Sequence, residues 1–311
     1  MSSIALTLRR IDEASRGLVS LFLNVGRLRG QTHGVVFPSE GGLAIRMPPV
    51  TYRDLLSHDG RTRIRQCVRY SGRPTAETLL RKTVFRLLQS GYLDPGRSII
   101  DIGSWIGDNA VVWAKLLSDG GVVFAVDPSR ANLAFGKAVA GSSSVNNIHW
   151  IQAVCADEPG LGVSLCGDLE HAQFSNGVSP HAQRFLTTTL DEVVPAHSHG
   201  AISLLHVDVE GFEKKVLLGA RQIIARSSPV VIFEQHIAKE DPREIVNLLT
   251  PNGYAVFMIN EVIPGCDLDC RNFIAFPTSR AIPPIVNPPH HEGRHEQIWY
   301  ASLGPALLPV A

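Results

Sequence analysis

The fold is decided by the stretch Ile99-Ile100-Asp101-Ile102-Gly103-Ser104-Trp105-Ile106-Gly107-Asp108. Its first half is an apolar run of the kind that forms a buried strand, and its second half carries two glycines. Glycine allows a tight turn whose backbone approaches a ligand closely. A helix that follows such a turn points its first N–H groups at the same place. The stretch therefore predicts a strand, a turn and a helix, with a ligand site where the strand ends.

A second apolar run, at 121–126, strengthens this prediction because Asp127 follows it directly. A carboxylate at the end of the second strand can accept two hydrogen bonds from a ribose diol, which indicates an adenosine-containing ligand. A nicotinamide dinucleotide uses the same geometry, but Trp105 stands where its G-x-G-x-x-G turn needs the second glycine. Asp101 would repel a pyrophosphate and attract the ammonium of an amino acid, so S-adenosylmethionine (SAM) fits better than NAD.

Short apolar runs alternate with amphipathic stretches through the middle of the chain. We predict buried strands at 98–102, 121–126, 148–154, 202–207, 229–233, 254–259 and 272–276, and helices at 75–91, 109–117, 130–140, 213–225 and 242–249. Alternation at this pace is typical of βαβ units in a mostly parallel sheet with helices on both faces. The polar segment 160–184 interrupts the pattern, and its length is that of a functional loop.

Three parts follow from this pattern. We interpret residues 1–74 as an N-terminal accessory or lid segment with a helix through Leu21, and residues 75–276 as the α/β domain. Residues 277–311 form a Pro-rich C-terminal tail, which we expect to be irregular because proline lacks an N–H and disfavours helix in the residue before it.

Composition excludes several classes of protein. The chain has 311 residues, 44% of them hydrophobic, and its 29 basic residues balance 29 acidic ones. A net charge of zero argues against nucleic acid as a partner, because such proteins normally carry a basic excess. We find neither a signal peptide nor an apolar run long enough for a membrane, and so predict a cytoplasmic protein with no membrane partner. The five cysteines are scattered, as expected of free thiols in a reducing compartment.

Acidic residues and one histidine follow the later strands. Asp208 comes directly after the run 202–207, and Glu234 and His236 follow the run 229–233. Carboxyl ends of neighbouring parallel strands face one crevice. We therefore expect a single rim that carries Asp101, Asp127, Asp208, Glu234 and His236. Glu210 and Glu213 lie at the start of the next helix, where capping of the helix N-terminus alone would account for them.

The motifs, taken in order, resemble those of the FkbM family of SAM-dependent methyltransferases. They are the run from Asp101 to Gly107, Val126-Asp127-Pro128, Thr189-Leu190-Asp191, Val207-Asp208-Val209-Glu210-Gly211-Phe212-Glu213 and Phe233-Glu234. The resemblance covers about residues 77–276. It implies a Rossmann-like class I methyltransferase fold, in which a seven-stranded, mostly parallel sheet has the order 3-2-1-4-5-7-6 and an antiparallel last strand. It also implies methyl transfer, usually to a hydroxyl oxygen.

The resemblance also implies a cofactor site. Carried over to this sequence, the methionine part of SAM would be held by Asp101, Gly103, Ser104 and Gly107, the ribose by Asp127, and the adenine by Ala156 and Asp157. The sequence departs from the family pattern at two places. Ser104-Trp105 replaces the commoner Ala-Asn pair, and His206 stands where lysine is frequent.

Our leading hypothesis is O-methylation of a small molecule, sugar or natural product. His236 is the predicted base, because a neutral imidazole accepts a proton near pH 7, and Glu234 or Asp208 would orient it. We predict no metal, although Glu210 with Asp208 or Glu234 could hold a divalent cation instead. Two alternatives remain open: a noncatalytic, adenosyl-ligand-binding regulatory protein and an NAD-dependent dehydrogenase.

Two further expectations concern the acceptor side of the site and the assembly of the protein. The accessory segment and the 160–184 segment are expected to cover the methyl-transfer site and select the acceptor. The pattern also leaves open whether the chain forms a homo-oligomer.

Overall fold

The structure is a computed structural model that describes residues 36–38, 44–46, 78–118, 120–166, 173–175, 183–236, 241, 243–259, 270–283 and 307–310. The predicted helix through Leu21, most of the accessory segment and most of the tail lie outside these ranges. Within them, no helix combines the length and the apolar character that crossing a membrane requires.

Strands and helices are numbered here in chain order over the described residues. The strands are β1 Val36–Pro38, β2 Ala44–Arg46, β3 Ser98–Ile102, β4 Val123–Asp127, β5 Ile148–Gln152, β6 Val154–Cys155, β7 Gly162–Cys166, β8 Gln173–Ser175, β9 Gln183–Thr188, β10 Ile202–Val207, β11 Val230–His236, β12 Tyr254–Ile259, β13 Cys270–Pro277 and β14 Leu307–Pro309. The α-helices are α1 Thr78–Gln89, α2 Asp108–Leu116, α3 Arg130–Ser142, α4 Leu190–Val193, α5 Glu213–Leu218, α6 Arg221–Ser227 and α7 Arg243–Leu249. Two 3-10 helices span Ala196–Ala201 and Thr250–Asn252.

The main sheet has eight strands in the order β14-β12-β13-β11-β10-β3-β4-β5. Strands β5, β4, β3, β10 and β11 run parallel, and β13 lies antiparallel between β11 and β12. When the seven strands from β3 to β13 that belong to this sheet are numbered along the chain, the order is 3-2-1-4-5-7-6. The predicted fold class and its antiparallel last strand are confirmed.

The eighth strand corrects the expectation of an irregular tail. Leu307–Pro309 pair antiparallel with Phe257–Ile259 and so extend the sheet beyond β12. Without β14, β12 would be an edge strand with a row of open N–H and C=O groups, which pairs readily with any extended segment. The prolines of the tail set only its local conformational preference, whereas this pairing depends on a distant strand.

The polar segment 160–184 was predicted to be a loop, and this is wrong for most of its described residues. Strands β7, β8 and β9 pair antiparallel, and β9 also runs parallel to β6, so that a second sheet forms in the order β6-β9-β7-β8. Because β6 directly follows β5, this small sheet extends from the carboxyl end of β5. Polar, glycine-rich sequence weakens the alternation that identifies a strand, whereas pairing satisfies the backbone whatever the side chains.

The stretch 213–225 was predicted to be one helix, but it forms two, α5 and α6. The break falls at Gly219, where an added Cβ would lie only 2.1 Å from the carbonyl oxygen of Ala156. Asp191 fixes the start of α6, because its carboxylate accepts the N–H groups of Gln222 and Ile223 at 2.9 and 3.0 Å. The Thr189-Leu190-Asp191 motif therefore positions a helix.

The core lies on both faces of the main sheet, as predicted. Ile99 on β3 faces the side that Leu80 of α1 and Trp113 of α2 cover. Its neighbour Ile100 faces the opposite side, which α4 to α7 cover with residues such as Val216. Residues that face both sides are buried along β3, β4, β10 and β11.

Candidate active site

The turn after β3 is wedged between two neighbouring strands. The N–H groups of Gly103 and Ser104 both donate to the carbonyl of Val126, at 2.9 and 3.0 Å. Gly103 has a φ of +78°, and a Cβ there would lie 1.6 Å from the carbonyl oxygen of Asp208. Only glycine fits this position. The close contact also places the residue after β10 directly against the turn.

Gly107 is required for a different reason. Its φ is +76°, and a Cβ would meet the ring of Trp150 on β5 at 2.4 Å. The same ring lies against Gly136 of α3, where a Cβ would come within 2.5 Å. The two glycines therefore let α2 and α3 close over Trp150, and this packing fixes where α2 begins.

Asp127 joins the end of β4 to the turn. Its Oδ2 accepts the N–H of Trp105 at 3.0 Å, and its Oδ1 accepts the N–H of Ser129 at 2.7 Å. Burial raises the pKa of this carboxyl to about 7, although the two N–H groups act in the opposite direction. Oδ1 also accepts a longer hydrogen bond from Nδ2 of Asn132, at 3.4 Å, whereas Oδ2 keeps a second lone pair with which it can accept a ribose hydroxyl.

Four buried polar atoms around the turn have no hydrogen-bond partner among the described residues. They are Asp101 Oδ2, Ser104 Oγ, Trp105 Nε1 and Asn132 Oδ1. Buried polar atoms are almost always paired, so a group of this kind fits a bound polar ligand. The set offers both donors and acceptors, which the amino-acid and ribose parts of SAM require. The residues present therefore fit the cofactor.

Asp101 has a partner that the sequence did not indicate. Its Oδ1 lies 2.8 Å from Nδ1 of His206, and both side chains are almost fully buried. The two residues face each other in register across β3 and β10. The rings of Trp113 and His206 pack nearly perpendicular to each other, with 5.2 Å between ring centroids. His206 thus occupies one oxygen of Asp101 and leaves Oδ2 for a ligand.

Ala156 and Asp157 follow β6, on the side of the rim nearest β5. Ala156 is buried, and its N–H donates to the carbonyl of Thr188 at 2.8 Å. Asp157 is half-buried. Their assignment to the adenine remains a prediction.

The loop between β10 and α5 is braced by Glu213. Its buried carboxylate accepts the N–H of Val209 at 3.0 Å and the N–H of Gly211 at 3.1 Å. Glu213 therefore has a structural role in the loop that precedes α5. Glu210 reaches in another direction. It has a φ of +56°, in the left-handed region, and its side chain points to β11.

Glu210 meets Glu234 and His236 at the rim. His236 Nε2 lies 3.3 Å from Oε2 of Glu210 and 3.5 Å from Oε2 of Glu234. We call these three residues the rim cluster. Glu234 and His236 lie on one face of β11, as their spacing predicts. One ligand atom from each member falls within 4.8 Å of the others, so the cluster could hold a metal ion.

Asp208 was expected beside His236, and the structure shows that the carboxylate of Glu210 reaches His236 Nε2, at 3.3 Å. Asp208 is half-buried, and its N–H donates to the carbonyl of Ile102 at 3.0 Å. Its backbone thus ties the rim to the glycine turn. The sequence named Glu210 as a carboxylate that could hold a divalent cation, and the glycine that follows it favours a sharp turn.

The chain is similar to known methyltransferases. A family model, the methyltransferase FkbM domain, matches residues 101–256. Similar solved structures include an FkbM methyltransferase from Methylobacillus flagellatus KT, at 13% identity and TM-score 0.44, covering 86% of this chain and 62% of that one. They also include an O-methyltransferase from Bacillus cereus in complex with SAH, at 14% identity and TM-score 0.39, covering 62% of this chain and 79% of that one.

A third similar structure is precorrin-6y C5,15-methyltransferase from Geobacter metallireducens GS-15, at 13% identity and TM-score 0.39, covering 65% of this chain and 91% of that one. Among curated proteins, none matches this chain. The family match begins at Asp101 and includes Asp127 and the whole rim cluster. The chain belongs to the FkbM family of SAM-dependent methyltransferases.

Proposed function

We propose that this methyltransferase transfers the methyl group of SAM to a hydroxyl oxygen of a small molecule, sugar or natural product. The observation that carries the proposal is the rim cluster, in which two carboxylates and an imidazole meet at the end of β11. Methyl transfer to a hydroxyl requires a nucleophile held in line with the methyl group and a group that promotes loss of its proton. Carboxylate and imidazole are suited to that second task.

The rim cluster and the cofactor site are joined through the backbone. Gly103 of the turn contacts the carbonyl of Asp208, and Glu210 follows two residues later. SAM, when bound, supplies an electrophilic methyl group on a sulfonium. The chain's own residues would position it: Asp101 Oδ2 accepts from the ammonium and Asp127 accepts from the ribose. An acceptor hydroxyl at the rim cluster would then lie beside the cofactor.

The family match affects the two alternative functions differently. Membership in the family sets aside the NAD-dependent dehydrogenase. The noncatalytic regulatory protein predicts binding of SAM with no transfer to any acceptor. The assignment of His236 as base stays a prediction, as does the role of the 160–184 segment in acceptor selection.

The test uses SAM carrying a labelled methyl group. The protein is incubated with hydroxylated small molecules and with host extract, and labelled products are identified by mass spectrometry and NMR. We expect the labelled methyl group to be bound to an oxygen of the acceptor, as a methyl ether. The exposed Glu244 supplies a control, because Glu244→Gln removes a carboxylate that pairs with Lys214 and is not a member of the rim cluster, and it should leave transfer unchanged. Label found only on nitrogen or carbon, or no transfer despite SAM binding, would refute the proposal.

A further inference from the structure

We infer that the rim cluster of Glu210, Glu234 and His236 binds a divalent first-row metal ion that holds the acceptor hydroxyl. The inference concerns the site of the proposed O-methyl transfer and in that respect rests on the proposed function. Its first test, metal binding, does not require an acceptor.

The distances within the rim cluster suit a shared ion. Nitrogen and oxygen ligands lie about 2.0–2.2 Å from such metals, so two neighbouring ligand atoms are about 3.0–3.5 Å apart. His236 Nε2 lies 3.3 Å from Oε2 of Glu210 and 3.5 Å from Oε2 of Glu234. Ligand atoms of all three residues fall within 4.8 Å of one another. An ion among them needs only small side-chain adjustments.

The chemistry of the donors selects the kind of ion. Two carboxylates with one imidazole form a mixed oxygen and nitrogen set, which Mn²⁺, Fe²⁺ and Zn²⁺ accept, whereas Mg²⁺ and Ca²⁺ prefer oxygen alone. Burial adds to this argument. The side chains of His236 and Glu234 are 6% and 10% exposed, and that of Glu210 is 22% exposed. Two carboxylates brought together in such a place repel each other, and a divalent cation offsets that repulsion.

The position of Glu210 bears on the expectation of no metal. That expectation assumed that Asp208 and Glu210 could be occupied by the helix N-terminus and that no close pair of histidine ligands accompanies them. In the structure, Glu213 accepts the N–H groups of Val209 and Gly211 in the loop before α5. The carboxylate of Glu210 reaches His236 Nε2, at 3.3 Å.

Three protein ligands leave coordination positions open, which is typical of catalytic metal sites. A hydroxyl oxygen at an open position loses its proton more readily, because the cation lowers the hydroxyl pKa. The proton passes to water at the rim. The oxygen lone pair then forms the bond to the methyl carbon, while the C–S bond breaks and its electron pair stays on sulfur. His236 is a ligand in this scheme, which replaces its assignment as the base.

Metal binding is measured directly on the full-length protein after treatment with a chelator. Mn²⁺ is titrated and its free form followed by EPR, with Zn²⁺ titrated by calorimetry as a second probe. We expect binding at one site per chain, weakened at least tenfold by Glu210→Gln, Glu234→Gln or His236→Ala. Glu244→Gln should bind metal as the wild type does. SAM affinity, expected to be unchanged in every variant, shows that each variant is folded.

The inference is overturned if the wild type binds neither ion, or if the three variants bind as tightly as the wild type. A second experiment separates it from the proposed function. The single-turnover rate of methyl transfer is measured in the presence of a chelator and in the presence of added Mn²⁺. We expect the rate to be at least 100-fold lower in the chelator. Full transfer in chelator that His236→Ala abolishes would restore His236 as the base and overturn the metal site. Metal binding without O-methylation of any acceptor would refute the proposed function and leave the metal site standing.

Discussion

Asp127 should make SAM binding depend on pH. The pKa of its carboxyl is raised to about 7 by burial, so in the free protein half of the molecules carry a proton there at neutral pH. A ribose diol donates to the ionised carboxylate, and a protonated carboxyl is a poor acceptor. Affinity should therefore rise with pH and level off above about pH 7.5.

The magnitude follows from the fraction of ionised protein. With a pKa of about 7, about 3% of the carboxyl is ionised at pH 5.5 and about 90% at pH 8. The apparent dissociation constant should therefore differ by up to about 30-fold between these two conditions. Asp127→Asn, which carries no charge, should bind SAM at least tenfold more weakly than wild type at pH 8 and lose most of that difference at pH 5.5. Calorimetry at several pH values measures both effects.

The raised pKa of Asp127 makes the stability of the free protein change with pH in the direction opposite to that of SAM affinity. The folded carboxyl holds its proton more tightly than the unfolded one, whose pKa is near 3.8. The free energy of unfolding of the wild type, relative to that of Asp127→Asn, is then highest below about pH 4. It falls by up to about 4 kcal/mol as the pH rises to about 7. The reasoning is refuted if wild-type SAM affinity is flat from pH 5.5 to 8 while Asp127→Asn binds as tightly at pH 8.

Three further predictions concern the turn after β3, the loop after β10 and the 160–184 segment. Gly103→Ala should lower the free energy of unfolding by about 3 kcal/mol or more in denaturant, because residue 103 has a left-handed conformation and its Cβ would collide with the backbone of Asp208. Gly141→Ala is the control and should be neutral or stabilising, because the space around Gly141 is open. Glu213→Ala leaves two backbone N–H groups without their acceptor and should cost about 2–4 kcal/mol while also reducing methyl transfer; unchanged unfolding would contradict its bracing role. Deletion of 165–180 should spare SAM affinity and abolish turnover, and equal loss of both would show that the segment is structural.

Sequence alone could predict the elements that local pattern specifies. Strands β3, β10 and β12 have the predicted bounds because each is a mostly apolar run that ends at a glycine or a polar residue. The break in 213–225 could not be predicted, since it depends on the approach of Gly219 to Ala156, which lies far away in the chain. The strands of 160–184 depend on pairing rather than on their own composition.

The same distinction applies to the candidate site. Asp101, Asp127, Glu234 and His236 were predicted at one rim because the topology of a parallel sheet brings strand ends together. The pairing of Asp101 with His206 depends on the register of β3 against β10, which no local pattern sets. Which of the two glutamates after β10 would brace the loop, and which would face His236, depends on a single backbone turn.

The strand β14 has a consequence for how the protein can be handled. It covers the edge of β12, and it is itself short and includes Pro309, which has no N–H to offer a neighbour. Removal of residues 307–309 would uncover the backbone of Phe257, Met258 and Ile259, an apolar edge able to recruit a second chain. Shortened versions of the chain should therefore precipitate or self-associate even where the methyltransferase site is untouched.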